Sequence, residues 1–476
     1  MNISPRFLFF IVIIAGTITF FFLAQRNAGY FSDINYLGAI LLTEIVIASI
    51  WHYEQIFFLV LILSFLWAGM DVPYYPVWLS VRWFVLAAGA FAGYVKWMKG
   101  RRQHFGAFHL TALFCVLGAL VSAMVSAFPQ MALLKVLSLF LLFLYASSGG
   151  RLAILGRETQ FINGLVLGCE ITVYISVVCY FTFHQAIFGN PNSLGLVMAI
   201  VVLPVLLWAV VVAPTRFLRH RRALALFLCG LLLYYSLSRA AMVSAATSVI
   251  ILCICLRRQK LLVQAAFLVV FFLGIAGVLF PVHFDEFRSA VTSSVVYKGK
   301  EPQGVFGSRT TPWQQTVDII QAHPWFGSGF GTSELRSASS NVSLSSVHTK
   351  EEAGREHGSS YLAITEWVGL LGNIPFLLLL FLVAQAIARV CAWMRQTASP
   401  HHCSVPLAMV LSAGLVHAFF EDWLFAVGYY LTVLFWSFAF VLIDVAPARS
   451  RETVRAVRSW HPSVIGPAPE TIAIHR

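Results

Sequence analysis

Four short polar stretches interrupt an otherwise oily chain, and each carries residue types able to handle a phosphate or a proton. In the first, Gly307-Ser308-Arg309 precedes Thr311-Pro312-Trp313-Gln314. Thr311 suits a helix N-cap, Pro312 the first helical position and Gln314 a capping box. Trp313, Val317 and Ile320 then share one face of a helix expected to run to about Ala322 and stop at His323-Pro324. Arg309 would stand just ahead of a helix N-terminus, whose free N–H groups and dipole favour an anion. Its guanidinium could grip a phosphate through two parallel hydrogen bonds; alternatively it neutralises Asp318 or a lipid headgroup. The second stretch, Ser236-Leu237-Ser238-Arg239, reads as a tight hairpin between two apolar segments. Taken alone, its arginine is a side chain reaching for headgroups.

The third stretch is Glu356-His357-Gly358-Ser359-Ser360-Tyr361-Leu362. A lone histidine is usually structural, yet imidazole is the side chain best suited to proton transfer near neutral pH. The fourth, Gly189-Asn190-Pro191-Asn192-Ser193-Leu194-Gly195, places Asn and Pro where ordinary helix capping wants them.

The elements that position these stretches are membrane helices. The chain has 476 residues, 59% apolar and 11% charged, against about 45–50% and about 25% in soluble domains. A water-soluble globule of this size could not bury that much apolar surface, so the composition predicts an all-α integral membrane protein. Apolar segments from 7–24 to 423–445 give a polytopic helical bundle of about 12–14 spans at roughly 20 residues each. The net charge of +12 comes from basic runs such as Arg216, Arg219, Arg221 and Arg222 between apolar segments, the pattern of solvated cytoplasmic loops rather than of nucleic-acid binding. With the N-terminus inside, 21 Lys and Arg fall on inner loops and tail and two, Arg26 and Arg239, on short outer loops. The organisation expected is helices over 1–281, a large periplasmic loop over 282–358, re-entry and the last helices over 359–445, and a basic cytoplasmic tail over 446–476. All four polar stretches then share the outer side.

Other residues are weaker candidates. Arg82 and Lys135 sit inside apolar segments, where a charge is costly enough to suggest function; they either widen a phosphate site or pair with Asp71, Glu44 or Glu170. Asp285-Glu286 and Glu421-Asp422 read as solvated ends or salt-bridge partners, so acid–base work by paired carboxylates is disfavoured. The eight cysteines lie in or beside apolar segments and indicate neither a disulfide framework nor a metal site.

Together, and in this chain order, the stretches resemble the O-antigen ligase and O-antigen polymerase superfamily over roughly 185–375. The resemblance rests on Ser238-Arg239, on Gly307-Ser308-Arg309 with Trp313, on His323-Pro324-Trp325-Phe326-Gly327-Ser328-Gly329-Phe330-Gly331, and on His357 followed by Glu366 and Gly369. The chain departs in carrying Gly358 where the family usually has Asn. The resemblance implies an inner-membrane glycosyltransferase that moves a glycan from undecaprenyl pyrophosphate to an acceptor hydroxyl, on lipid A core or a related glycan, at the periplasmic face. It implies no cofactor and no metal. Arg239 and Arg309 would hold the diphosphate and His357 would take the hydroxyl proton, inverting the anomeric centre, with Asn192, Trp313 and Glu366 as supporting residues. Two other readings stand beside it. A polymerase would join lipid-linked repeat units by the same chemistry, and a many-span transporter or flippase would show broken helices at the midplane or paired halves.

Overall fold

A computed structural model describes residues 54–67, 69, parts of 86–94, 105–184, 187–260, three positions up to 267, 307–332, 357–426 and 429–447. Among the described residues every regular element is helical. In chain order these are α1 (Glu54–Trp67), α2 (Ala107–Val125), α3 (Pro129–Ser147), the short α4 (Gly149–Ile154) and α5 (Glu158–Phe183). Next come α6 (Pro191–Val197) and α7 (Leu203–Val211), joined by a π-helical turn at Met198–Val202, then α8 (Arg216–Tyr235) and α9 (Arg239–Cys255). The last four are α10 (Gly307–Ala322), α11 (Ser360–Thr397), α12 (Ser404–His417) and α13 (Tyr430–Val445).

Among the described residues, five continuous helical stretches are long and apolar enough to cross a membrane: Ala107–Val125, Pro129–Ile154, Glu158–Phe183, Pro191–Val211 and Ser360–Thr397. Arg239–Cys255, Ser404–His417 and Tyr430–Val445 are shorter apolar helices. This is a polytopic all-α membrane protein. The expected spans at 7–24 and 37–50, most of 76–94 and 261–281, and the proposed tail, lie outside the described residues. Helices suit the bilayer because they satisfy every backbone donor and acceptor internally. Their outward faces carry large apolar side chains, such as Phe114, Leu117 and Met124 on α2 and Leu377 and Phe381 on α11, the surface that lipid rather than water would cover.

Close packing fixes the bundle. α11 runs along α2, where a Cβ on Gly118 would stand 3.3 Å from the carbonyl oxygen of Gly372, so small residues bring the two backbones together. Arg151 of α4 is buried, and its Nε and a terminal nitrogen reach the two carboxylate oxygens of Asp444 in α13 at 2.7 and 2.9 Å. The other terminal nitrogen lies 2.9 Å from Nε2 of His109 in α2. Arg151 is therefore an internal staple between α4 and α13. Arg221 is likewise more than a solvated charge: it pairs with the buried Glu170 at 2.8 Å.

The described stretch 307–332 and the helix α11 are built as one unit. α11 breaks at Gly369, where φ is +69°. The segment 323–331 fills the break: Ser328 and Gly329 donate backbone N–H groups to the carbonyls of Glu366 and Trp367 at 2.9 and 3.1 Å, and Leu370 donates to the Pro324 carbonyl at 2.7 Å. A Cβ on Gly369 would collide with the Trp325 backbone, so both the positive φ and the close approach demand glycine here. Lys135 of α3 donates its Nζ to the Gly331 carbonyl and ties the same segment to the bundle.

Removing the partner of a buried arginine leaves an uncompensated charge, which costs at most about 3–5 kcal/mol and less here because Asp444 is partly exposed. Asp444→Ala should therefore lower the thermal unfolding midpoint of the detergent-purified protein strongly, whereas a substitution at an exposed position such as Gln160→Glu should leave it nearly unchanged.

Candidate functional site

α10 begins at Gly307, four residues before the expected N-cap, because the chain enters helical geometry without waiting for Thr311. Pro312 consequently lies inside the helix rather than at its first position. Arg309 sits in the first turn itself rather than ahead of it. The stop at His323-Pro324 is where the sequence placed it. The inward face is centred on Thr316, which is fully buried, while Val317 is exposed. Trp313 is half-buried and donates its indole N–H to the Gly358 carbonyl at 3.1 Å. Gly358 has φ +70°, and a Cβ there would meet both Trp313 Nε1 at 3.1 Å and Arg309 Cδ at 3.3 Å. Glycine and asparagine are the residues that tolerate this left-handed conformation, which gives the chain's departure from the family's usual Asn a conformational rationale.

His357 stands immediately before that turn and is buried. Its Nδ1 is 2.9 Å from Oδ2 of Asp422, and its backbone N–H donates to the same oxygen at 3.0 Å. Its Nε2 lies 3.5 Å from Oε1 of Glu366, which is wholly buried one helical stretch further on. Burial alone would push the imidazole pKa down, but the hydrogen bonds and charges of Asp422 and Glu366 outweigh it and raise the pKa above its ordinary value. Burial would conversely raise Asp422; the side-chain and backbone hydrogen bonds from His357 hold it below the usual carboxylate value. The neighbouring Glu421 forms an ion pair with Arg309, and its backbone carbonyl accepts from the Ser360 hydroxyl at 2.6 Å. The segment after α12 is thereby clasped to the start of α11.

These groups border a cavity of about 380 Å³. Arg309, Glu421 and Asp422 supply its charged lining, and Asn190, Asn192, Ser193 and Ser238 contribute neutral polar groups. Asn190 caps α6 by accepting the Ser193 N–H at 2.8 Å, with Pro191 in the first position, as the sequence predicts. Ser238 precedes α9, which begins at Arg239; Leu237 adopts φ +51° in the tight turn before it. His357 is not part of the cavity lining and reaches it through Asp422.

Arg309, Trp313, Asn192, His357 and Glu366 thus belong to one neighbourhood, with Arg239 at the helix start beside Ser238. Lys135 donates to the Gly331 carbonyl, and Glu170, one of the acids considered for it, pairs with Arg221. Arg82, Asp71 and Glu44 lie outside the described residues. Sequence reasoning under-read Glu421-Asp422: Glu421 is a salt-bridge partner as expected, but neither is a solvated end, and Asp422 is the partner of the histidine. Two adjacent acids between two late apolar segments were the available signal. Among the described residues no group of three His, Cys, Asp or Glu side chains is placed to hold a metal ion.

Residues 224–353 match the family described as O-Antigen ligase. The match supports the O-antigen ligase superfamily for this membrane protein. It takes in Ser238-Arg239, Arg309, Trp313 and the glycine-rich segment 323–331, and ends four residues before His357. None of the curated proteins compared matches the chain.

The raised imidazole pKa depends on the facing carboxylates, so Asp422→Asn should move the His357 titration midpoint downward. Histidine-resolved NMR of the full chain in detergent, with the resonance assigned by its loss in His357→Gln, reads this directly. An unmoved midpoint would contradict the hydrogen bond.

Proposed function

We propose that the protein is an O-antigen ligase-type glycosyltransferase of the bacterial inner membrane, which transfers a glycan from undecaprenyl pyrophosphate to the hydroxyl of lipid A core or a related glycan at the periplasmic face. The family match supports an enzyme of the ligase and polymerase type acting on a lipid-linked glycan; the donor, acceptor and sidedness belong to the proposal. The observation that carries it is the convergence of Arg309 and Asp422 on one cavity, with His357 hydrogen-bonded to Asp422 from behind.

In this reading the donor diphosphate competes with Glu421 for the Arg309 guanidinium, and Arg239 adds a second positive charge from the start of α9. Permanently charged forks suit a diphosphate and stabilise the charge that develops as it departs. The acceptor oxygen attacks the anomeric carbon from the opposite face; the new C–O bond forms as the bond to the phosphate oxygen breaks, and the electron pair leaves with the diphosphate. The hydroxyl proton goes to the Asp422–His357–Glu366 cluster, which takes it only when the imidazole is neutral. The arrangement inverts the anomeric centre. A transporter would call for a substrate-facing break in a helix, whereas the break at Gly369 has its freed carbonyls occupied by the 323–331 segment. The large loop over 282–358 is assigned to the same side as the cavity.

His357→Ala should leave the protein folded and reduce transfer in purified, EDTA-treated material by about 10²–10⁴-fold, the usual worth of general acid–base catalysis. Arg309→Lys should also lose most activity, since a point ammonium lacks the bidentate fork; wild-type turnover in either variant would contradict the assignment. The pH dependence has a definite sign. The base form appears above the raised His357 pKa, so the rate should climb with pH through a midpoint above the ordinary histidine value. The protonated bridge between the two carboxylates stabilises the fold fully below the unfolded-state pKa and is lost as pH rises through the folded-state value. Thermal stability should therefore fall over the window in which activity rises.

A further inference from the structure

His417, the last residue of α12, is 1% exposed and lines the cavity. The indole N–H of Trp423 donates to its Nδ1 at 3.2 Å. Indole nitrogen can only donate, so Nδ1 must carry a lone pair and the imidazole proton must sit on Nε2. That Nε2–H is buried and has no hydrogen-bond partner among the described residues. Such orphans are rare because a buried donor deprived of water is costly to leave unpaired. Six other buried side-chain atoms share the condition, among them Tyr145 Oη and Trp367 Nε1, but none of their residues lines this cavity. His417 is thus a neutral donor, oriented by Trp423, that stands in the cavity wall and has no acceptor for its Nε2–H among the described residues.

The chemistry of the lining says which acceptor. The ionic groups Arg309, Glu421 and Asp422 already have one another or His357. Apart from these ionic groups and His417, the lining is neutral: the amides Asn190 and Asn192, the hydroxyls of Ser193 and Ser238, the aromatic rings of Trp423 and Tyr429, and the apolar Leu196 and Ala426. Amides and hydroxyls that both donate and accept match the vicinal hydroxyls of a sugar, and aromatic surface suits the C–H faces of its ring. A neutral imidazole N–H complements a neutral oxygen without the charge that a phosphate oxygen would call for.

We propose that His417, locked as its Nε2–H tautomer by Trp423, is a sugar-binding residue that donates to an oxygen of the glycan carried by the lipid diphosphate. The proposal rests on the glycan-transfer reading above and adds a subsite to it. His417 binds and positions; it takes no proton in the reaction.

The test compares two probes on the full chain in detergent: a polyprenyl diphosphate bearing one N-acetylhexosamine, and the same lipid diphosphate without sugar. Wild type should bind the sugar-bearing probe more tightly, by about five- to tenfold for one buried hydrogen bond. His417→Phe should erase that increment while leaving the affinity for the bare lipid diphosphate within about twofold. His417→Gln, whose amide nitrogen can occupy the position of Nε2, should restore part of it. Matched thermal midpoints, and retained affinity for the bare probe, show that the variants are folded. Absence of a sugar increment in wild type, its persistence in His417→Phe, or an equal loss for both probes would overturn the proposal. Failure of wild type to bind either probe would instead overturn the glycan-transfer reading on which it rests.

Discussion

The hydrogen bond between His357 and Asp422 organises the polar part of this molecule. A buried imidazole facing two carboxylates is stable only if each group is held against its partners, because an ion left alone in low dielectric is expensive. Several distant contacts serve that end. Ser360 grips the Glu421 carbonyl, Trp313 grips the Gly358 carbonyl, and Arg309 neutralises Glu421 beside Asp422. Three segments far apart in sequence, 307–322, 357–366 and 417–423, meet because each supplies a charge or hydrogen bond that another leaves unsatisfied.

The broken helix carries the same logic into the backbone. A helix interrupted at Gly369 exposes carbonyls that cannot remain bare in an apolar setting. The 323–331 segment supplies N–H groups to the carbonyls of Glu366 and Trp367, and the Ser122 hydroxyl of α2 donates to Trp367 as well. The break therefore fixes Glu366, and through it one side of His357. Lys135 lies in this supporting layer, where it holds the Gly331 carbonyl. A cation in an apolar segment need not be a ligand site; a loop carbonyl satisfies it.

Much of this was legible in the sequence because its signals were local. Apolar length gave the helices, Asn190-Pro191 gave the start of α6, and His323-Pro324 gave the end of α10. The start of α10 was misread because Thr311-Pro312 is a good cap in isolation, and the chain nonetheless stays helical back to Gly307. Arg151 shows a related limit: nothing nearby in sequence announces Asp444, 293 positions away, as its partner. Asp422 escaped for the same cause. Its role is set by a histidine 65 residues upstream, and a two-residue acidic pair has no periodicity to betray which member faces inward.

The central claim is that Arg309 and the His357–Asp422 pair serve one lipid diphosphate-linked substrate in one cavity. The most direct measurement is an experimental structure of the full chain with a non-transferable lipid-diphosphate glycan bound. The account predicts diphosphate density within hydrogen-bonding reach of Arg309, and the anomeric carbon on the side of the cavity lined by Asp422. A diphosphate bound elsewhere, with the Arg309–Glu421 pair intact and the cavity filled by side chains or lipid tails, would contradict it.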